Sequence, residues 1–457
     1  MKGDSAKPSS GASGQAFAAL MGVFLGLAFL KFGNPPIMAK FETAPTNIYE
    51  FVMGYPWPSG WAYGMLVALV VAGLRLATPE PHRPNWIVFL PGAWFAWQFV
   101  TSLFSVDFSL TQGVLKHFAA CSVCFYLGYF FLSRASSLRT FFIFLLGALV
   151  VVVIVGWDQH FGGLEQTRKY FYLYIYPQLK EVPPEYIKKI GSNRIFGTLF
   201  YPNTLAGAIL LLLPISLTLC WEAKDRFTLE ARLFLVSIVG FGSLGALVWS
   251  GSKGGWLLAL LLAIVAMGCQ NLSRPQGSVA GGLVSSRRLK IGFAALLIVI
   301  GLTFFFLRYA DFFHKGATSV SARGDYWRAA VQITVENPVV GTGPGTFSKP
   351  YAAIKRPESE MARLVHNDYL EQASDSGIPG ALLYAVFVFG ALVRGFKKGI
   401  KGDAMAFAAW LGVLGWGLHS FIEFGLYVPA LSWTSMTLLG WLLARGRNPL
   451  DKAEADR

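Results

Sequence analysis

Three arginines in two polar stretches of this sequence are placed to hold an anion. Arg194 lies in GSNRIFGTLFYPNTLAG, just before a Pro-Asn-Thr sequence that predicts a turn and the N-cap of a helix. Arg323 begins a predicted amphipathic helix over 321–336, and Arg328 follows five residues later. A helix N-terminus and the arginine fork both favour phosphate. Taken alone, Arg194 is explained equally well by an ion pair that stabilises its loop.

His366 is the candidate general base. It opens HNDYLE, the start of a second predicted short helix that ends near Gly377, with Pro379 beyond. The positive end of a helix dipole disfavours the imidazolium, and a general base requires the neutral imidazole. The alternative is a structural histidine. The other histidines have less suitable positions: His82, His117, His160, His314 and His419.

Nucleotide and metal sites are not expected. The glycine cluster at 340–347 follows no predicted strand and contains Pro344, so it predicts a tight turn. The sequence has no DxD, no HExxH and no Cys/His cluster, and therefore predicts no catalytic metal and no other cofactor. No G-x-S-x-G motif occurs in a context that suits a serine hydrolase.

The elements that carry these residues are predicted to be membrane helices. The 457 residues are 54% hydrophobic and 14% charged, with a mean hydropathy of +0.49, whereas soluble domains keep about 25% charged residues. The predicted fold class is therefore an all-α polytopic membrane protein, and no nucleic acid partner is expected. Twelve apolar segments are long enough for spans: 15–31, 57–75, 86–105, 113–132, 140–158, 203–221, 232–250, 254–269, 290–308, 378–394, 404–421 and 428–444.

The distribution of Lys and Arg orients these spans. One side of the membrane receives five basic loops and both termini, so that side is predicted to be cytoplasmic. Two long loops fall on the opposite, outer side: 159–202 between spans five and six, and 309–378 between spans nine and ten, the latter predicted to form short helices. Long connections in a compact protein are usually functional. These loops contain Arg194, Arg323, Arg328 and His366.

The first long loop has two further features. Tyr170, Tyr172, Tyr174 and Tyr176 alternate with apolar residues, which predicts an extended strand whose tyrosine face could stack on sugars, or else anchors at the interface. Six basic and three acidic residues give this loop a charge of +3, which indicates an anionic partner or lipid headgroups. The basic residues are Arg168, Lys169, Lys180, Lys188, Lys189 and Arg194.

Four motifs, in order along the chain, resemble the O-antigen ligase and polymerase superfamily. They are RIFGTLFYPN at 194–203, SGSKGGW at 250–256, RGDYW at 323–327 with NPVVGTGPG at 337–345, and HNDYLE at 366–371. The resemblance is strongest from 191 to 383. It implies one integral-membrane domain over 1–457, in the bacterial inner membrane, with an active site on the periplasmic face.

The resemblance implies a metal-independent, inverting, GT-C-type membrane glycosyltransferase. Its donor is a glycan linked to undecaprenyl diphosphate, and its acceptor is lipid A-core or another glycan. By this likeness Arg194, Arg323, Arg328 and Lys253 hold the donor diphosphate and His366 activates the acceptor hydroxyl. Lys253 stands where the family often has arginine, so it supplies charge without the two-pronged geometry.

Three alternatives to an O-antigen ligase stay open at this point. A polysaccharide polymerase and a protein O-oligosaccharyltransferase use the same fold. A secondary transporter with twelve spans belongs to a different class, and would need coupling charges inside the membrane. Lys116 and His117 are the clear candidates for such charges.

Overall fold

Helices form every regular element in the part of the chain that the structure describes. The computed structural model describes residues 10–54, 56–77, 86–178, 187, 190–272, 292, 296, 299–310, 318–399 and 403–445. No strand occurs within these ranges. Three residues of the predicted basic loop, Lys180, Lys188 and Lys189, lie outside them.

Sixteen α-helices are described, in chain order. They are α1 (Ser10–Lys31), α2 (Ile48–Met53), α3 (Ser59–Leu76), α4 (Leu90–Ser102), α5 (Phe108–Phe130), α6 (Arg139–Asp158), α7 (Leu164–Tyr170), α8 (Pro202–Trp221), α9 (Leu229–Trp249), α10 (Lys253–Leu272), α11 (Val299–Ala310), α12 (Thr318–Glu336), α13 (Ser348–Ile354), α14 (Asp368–Gly399), α15 (Ala404–His419) and α16 (Pro429–Arg445). Short 3-10 and π segments join some of them.

Seven described helices are long and apolar enough to cross a membrane. They are Ala12–Lys31, Ser59–Leu76, Phe108–Arg134, Arg139–Leu173, Pro202–Trp221, Leu229–Trp249 and Asp368–Lys397. Three shorter apolar helices are Lys253–Cys269, Val299–Ala310 and Ala404–His419. A helix suits this environment because it bonds its backbone groups within one segment. The chain is therefore a multi-pass membrane protein.

Each predicted apolar segment coincides with a helix, although only part of 290–308 is described. The count of twelve spans stays a prediction. Two of the segments are short as helices, because α4 has 13 residues and α16 has 17. The position of the long loop relative to spans nine and ten is likewise a prediction.

The prediction of a tyrosine strand is wrong. The chain continues as helix from Leu164 through Ile175. Tyr172 and Tyr176 lie four residues apart with ring centroids at 5.7 Å, the spacing of neighbours on one helix face. The alternation of residue types was a poor guide because this segment extends the membrane helix α6, past a kink at Phe161 and Gly162.

Close helix pairs fix the bundle. A Cβ at Gly128 of α5 would lie 2.1 Å from the carbonyl oxygen of Thr437 on α16, and one at Gly440 of α16 would lie 2.1 Å from that of Phe125. Only glycine permits this approach of two backbones, a common device between membrane helices. The α5–α16 pair is thereby held rigidly beneath the turn that precedes α16.

A small lobe built from α12, α13 and the chain up to α14 has its own apolar core. Tyr326, Ile333, Phe347, Tyr351 and Val365 are buried in it. The predicted amphipathic helix over 321–336 is confirmed as α12. The predicted break near Gly377 is confirmed as a kink, since Gly377 has φ 71°, but the helix continues beyond it. This lobe presents Arg323 and His366.

Candidate active site

Glu423 lies at the centre of a polar cluster where the loops meet one end of the bundle. It stands in the turn between α15 and α16, with 5% of its surface exposed. One carboxylate oxygen, Oε1, accepts hydrogen bonds from Arg323 Nη2 and from Asn203 Nδ2. The other, Oε2, lies 3.1 Å from Nδ1 of His366. Segments far apart in sequence therefore share one carboxylate.

Glu423 is held in its charged form. Burial by itself would raise the pKa of this carboxyl group, but the attraction of His366 in its protonated form, the hydrogen bond from His366 and the charge of Arg323 lower it to about 2. A carboxylate is an acceptor only, so the facing imidazole nitrogen carries the proton and donates it. That arrangement leaves the lone pair of the other ring nitrogen, Nε2, available as a base.

His366 has a strained backbone with φ 56°, which is uncommon for a residue other than glycine. The amide of the preceding Val365 donates to Glu371 Oε2 at 3.1 Å, and the side chain of the following Asn367 caps α14. The imidazole ring faces Tyr326 on one side, and Phe424 contacts it at a ring-centroid distance of 4.9 Å. The predicted place of His366 before a helix N-terminus is confirmed, but the partner carboxylate was not predicted.

Arg194 joins the cluster from the chain that leads into α8. Its Nε donates to the backbone oxygen of Ser250 at 2.7 Å, and its Nη2 donates to Asn203 Oδ1 at 2.7 Å. Asn203 in turn bonds Glu423, so it links the guanidinium to the carboxylate. Burial lowers the pKa of Arg194, an effect that the charge of Glu423 opposes. The fork of Arg194 thus ties the α9–α10 turn to the start of α8.

Arg323 and Arg328 have different surroundings although both belong to α12. Arg323 bonds Glu423 and donates from Nε to the Ile422 backbone oxygen at 3.1 Å. Arg328 pairs instead with Asp325 at 2.5 Å and is half exposed. Five residues turn a helix by roughly 140° beyond one full circle, so the two side chains leave different faces. The structure does not bring Arg328 to the cluster.

Lys253 begins α10, directly after the turn to which Arg194 bonds. Its ammonium lies over the Tyr309 ring, 5.0 Å from the centroid. It is also near enough to Arg194 and Arg323 for their charges to repel its own. Three positively charged side chains, those of Arg194, Arg323 and Lys253, therefore lie near one another in this cluster. Such a grouping suits a phosphate-bearing ligand.

The glycine turn at 340–347 is filled by the protein's own carboxylate. Gly345 N donates to Asp375 Oδ2 at 2.6 Å, and Phe347 N donates to Asp375 Oδ1 at 3.2 Å. Gly341 has φ 65°, and a Cβ there would lie 2.4 Å from the carbonyl carbon of Asp375. The prediction of a tight turn rather than a nucleotide loop is confirmed.

Within the described ranges, no group of three or more His, Cys, Asp or Glu is arranged to hold a metal ion. The cluster instead combines one candidate base, His366, with the carboxylate of Glu423 and several positively charged side chains. Such a set can remove a proton from a hydroxyl and stabilise a departing anion.

Two members of the cluster, Glu423 and Asn203, were missed as functional residues in the sequence. Asn203 was assigned only to a turn and cap. Glu423 left a detectable signal, because it is the single acidic residue between Ala404 and Ala444. An acidic residue in so apolar a stretch is expensive and usually functional.

Comparison with known families finds a match over part of this cluster. The family model described as O-antigen ligase matches residues 238–385. This segment begins within α9 and ends within α14, so it includes Lys253, Arg323 and His366, while Arg194 and Glu423 lie outside it. No curated protein matches the chain.

Proposed function

We propose that this chain is an O-antigen ligase, because the family model described as O-antigen ligase matches residues 238–385. The reaction moves a glycan from undecaprenyl diphosphate to a hydroxyl group of lipid A-core. The family supports the general activity, a membrane glycosyltransferase that acts on lipid-linked glycans. The contact of His366 Nδ1 with Glu423 Oε2 carries the proposal, because it prepares one imidazole for proton removal.

His366 acts as the general base in this reaction. Its Nε2 takes the proton of the acceptor hydroxyl while the oxygen attacks the anomeric carbon of the donor sugar. The bond from that carbon to the diphosphate oxygen breaks, and its electron pair leaves with the diphosphate. Attack opposite the leaving group inverts the anomeric centre. The charge of Glu423 stabilises the imidazolium that forms.

Arg194, Arg323 and Lys253 stabilise the leaving diphosphate. The described hydrogen bonds use Nε and Nη2 of each arginine, so Nη1 of both is left for phosphate oxygens. No metal enters this mechanism, because fixed cations in a poorly solvated site can supply the same stabilisation. We leave Arg328 out of the donor site on account of its pairing with Asp325.

An apolar groove between α6 and α9 supports a lipid-linked donor. Its volume is about 770 Å³. The indole of Trp157 lines the groove, donates to the Gly242 carbonyl at 2.9 Å and packs on Trp249 at 4.7 Å. Ser250, to which Arg194 bonds, follows Trp249. A polyprenyl tail in the groove would therefore place its diphosphate beside Arg194. The apolar lining includes Leu149, Val153, Ile154, Phe234, Ile238 and Phe241.

A tryptophan placed in this groove tests the tail site. Ile238→Trp fills the groove, and we expect it to raise the KM for the lipid-linked donor while kcat changes little. Val71→Trp, on the similarly exposed face of α3, is the matched control. Equal donor KM values for both variants would exclude the groove as the tail site.

We further propose that the bacterial inner membrane holds the protein with both termini in the cytoplasm. The loops 159–202 and 309–378 then lie in the periplasm and place the active site there. This orientation rests on the Lys and Arg distribution along the sequence.

The acceptor decides between the members of this superfamily. A polymerase would use another lipid-linked repeat unit, and a protein O-oligosaccharyltransferase would use a hydroxyl of a protein. Transport is disfavoured because His117, one of its two candidate charges, is buried and bonds the Leu426 carbonyl at 2.8 Å. His117 thus has a structural partner rather than a place on an ion path.

The decisive experiment is transfer by the purified protein with each acceptor in turn. We expect the wild-type protein to join the glycan to lipid A-core, and His366→Ala to abolish transfer while accumulating normally in the membrane. Lys349→Ala is the control, since Lys349 lies on α13 of the same lobe, is half exposed and pairs with Asp107 at 2.8 Å, away from the cluster. Normal transfer by His366→Ala would overturn the proposal, and transfer only to glycan or protein would reassign the acceptor.

A further inference from the structure

The turn that carries Glu423 is held at both ends by one residue, Asp368. The backbone N–H of Asp368 donates to the carbonyl of Ser420 at 2.8 Å. Its carboxylate oxygen Oδ2 accepts from the N–H of Leu426 at 2.8 Å. Ser420 and Leu426 stand three residues before and three residues after Glu423. A single residue therefore closes the turn around the site carboxylate.

The same residue also fixes His366. Asp368 begins α14, two residues after His366, and is fully buried. Asn367, which lies between them, caps the helix with its side chain. The imidazole is thus attached to Asp368 through the chain, and the carboxylate of Glu423 is attached to it through two hydrogen bonds.

We propose that Asp368 is a positioning residue that sets the contact between His366 and Glu423. Asp368 touches no substrate in this scheme and acts through the other two residues. Its kinetic consequence rests on the proposed glycan transfer, whereas its effect on the turn does not. Asp368 acts through the oxygen that accepts the hydrogen bond from the Leu426 N–H, and its negative charge is not required.

A second support keeps the turn folded when Asp368 is changed. The carbonyl of Leu426 accepts a hydrogen bond from Nε2 of His117 on α5 at 2.8 Å. The Leu426 peptide is therefore held from its N–H side by Asp368 and from its C=O side by His117. Loss of the first contact should displace Glu423 without releasing the whole turn.

Two variants separate the hydrogen bond from the charge. Asp368→Ala removes the acceptor, and we expect kcat to fall about 100-fold, the size of effect that a displacement of about 1 Å can cause. The KM for the donor should change little. Asp368→Asn keeps an oxygen that can accept from Leu426, so we expect it to recover kcat to within about tenfold of the wild type. If Asp368→Asn is as damaging as Asp368→Ala, the proposal is overturned.

A double-mutant cycle tests whether Asp368 acts through Glu423. In a Glu423→Gln background, Asp368→Ala should lower kcat little further, because the contact it positions is already lost. Asp403→Asn is the control. Its side chain caps the opposite end of α15 by accepting from the Ala406 N–H at 2.8 Å, so its effect should multiply with that of Glu423→Gln. If Asp368→Ala multiplies in the same way, Asp368 has only a structural role.

Hydrogen exchange tests the turn independently of activity. Asp368→Ala should speed amide exchange at residues 421–427, and Asp368→Asn should not. Unchanged exchange in Asp368→Ala would overturn the inference even if the enzyme transfers glycan as proposed. If Asp368→Ala exchanges faster and the wild-type protein transfers no glycan, the result counts against the proposed function and leaves the inference about Asp368 standing.

Discussion

Replacement of Glu423 by glutamine is the sharpest test of the site. The side chain keeps its size but loses its charge and one of its two acceptor oxygens. In the wild-type protein those oxygens receive hydrogen bonds from Arg323, Asn203 and His366. In the variant the amide NH₂ group must face either His366 or the Arg323–Asn203 pair. Facing His366, it forces the proton from Nδ1 to Nε2, which removes the base.

The magnitude follows from the electrostatics of Glu423. Its surroundings lower the pKa of the carboxyl group from 4.5 to about 2, which corresponds to about 3 kcal/mol in favour of the charged form. His366 contributes the largest favourable part of that effect. Loss of this stabilisation as His366 takes its proton lowers kcat by about 100-fold, and the altered tautomer extends the loss toward about 1,000-fold.

The assay is transfer from purified undecaprenyl-diphosphate-linked glycan to lipid A-core in detergent, with kcat measured at saturating donor. Glu336→Gln is the control, since Glu336 is an exposed carboxylate at the end of α12 that bonds Gln332. Thermal unfolding in the same detergent shows whether both variants are folded. A Glu423→Gln kcat within about threefold of the wild type would refute the role of Glu423 in preparing the base.

Three other predictions concern the same cluster. The lysine of Arg194→Lys cannot hydrogen-bond to Ser250 and Asn203 at the same time, so steady-state kinetics should show a rise of about tenfold in the KM for the donor. An unchanged KM would remove Arg194 from the donor site. Arg328→Ala should leave kcat and KM near their wild-type values in the same assay, because Arg328 pairs with Asp325; a loss comparable to that of Arg194→Lys would return it to the donor site. The lowered pKa of Glu423 adds stability that is complete above about pH 4.5 and is lost as the pH falls toward about 2. Thermal unfolding measured over this pH range should therefore show a steeper loss of stability for the wild type than for Glu423→Gln. Parallel curves for the two proteins would contradict a charged Glu423.

Local sequence patterns were sufficient to locate the helices and to select most of the basic residues of the cluster as candidates. Runs of apolar residues identified the helices because a backbone in lipid must bond within its own segment. The place of His366 before α14 followed from a short polar motif and the glycine after it. The tyrosine segment was misjudged because alternation over seven residues does not reveal that a membrane helix continues through it.

The sequence by itself determined that this chain is a helical membrane protein, with a histidine and arginines in the polar stretches between its apolar segments. Only the tertiary structure decided which of them act together. His366 and Glu423 are 57 residues apart and meet because α14 and the α15–α16 turn pack at the same end of the bundle. Arg323 joins them and Arg328 does not, because a helix presents residues five apart on different faces. Contacts between residues so far apart in the sequence depend on how the helices pack, which residue types and local spacing do not reveal.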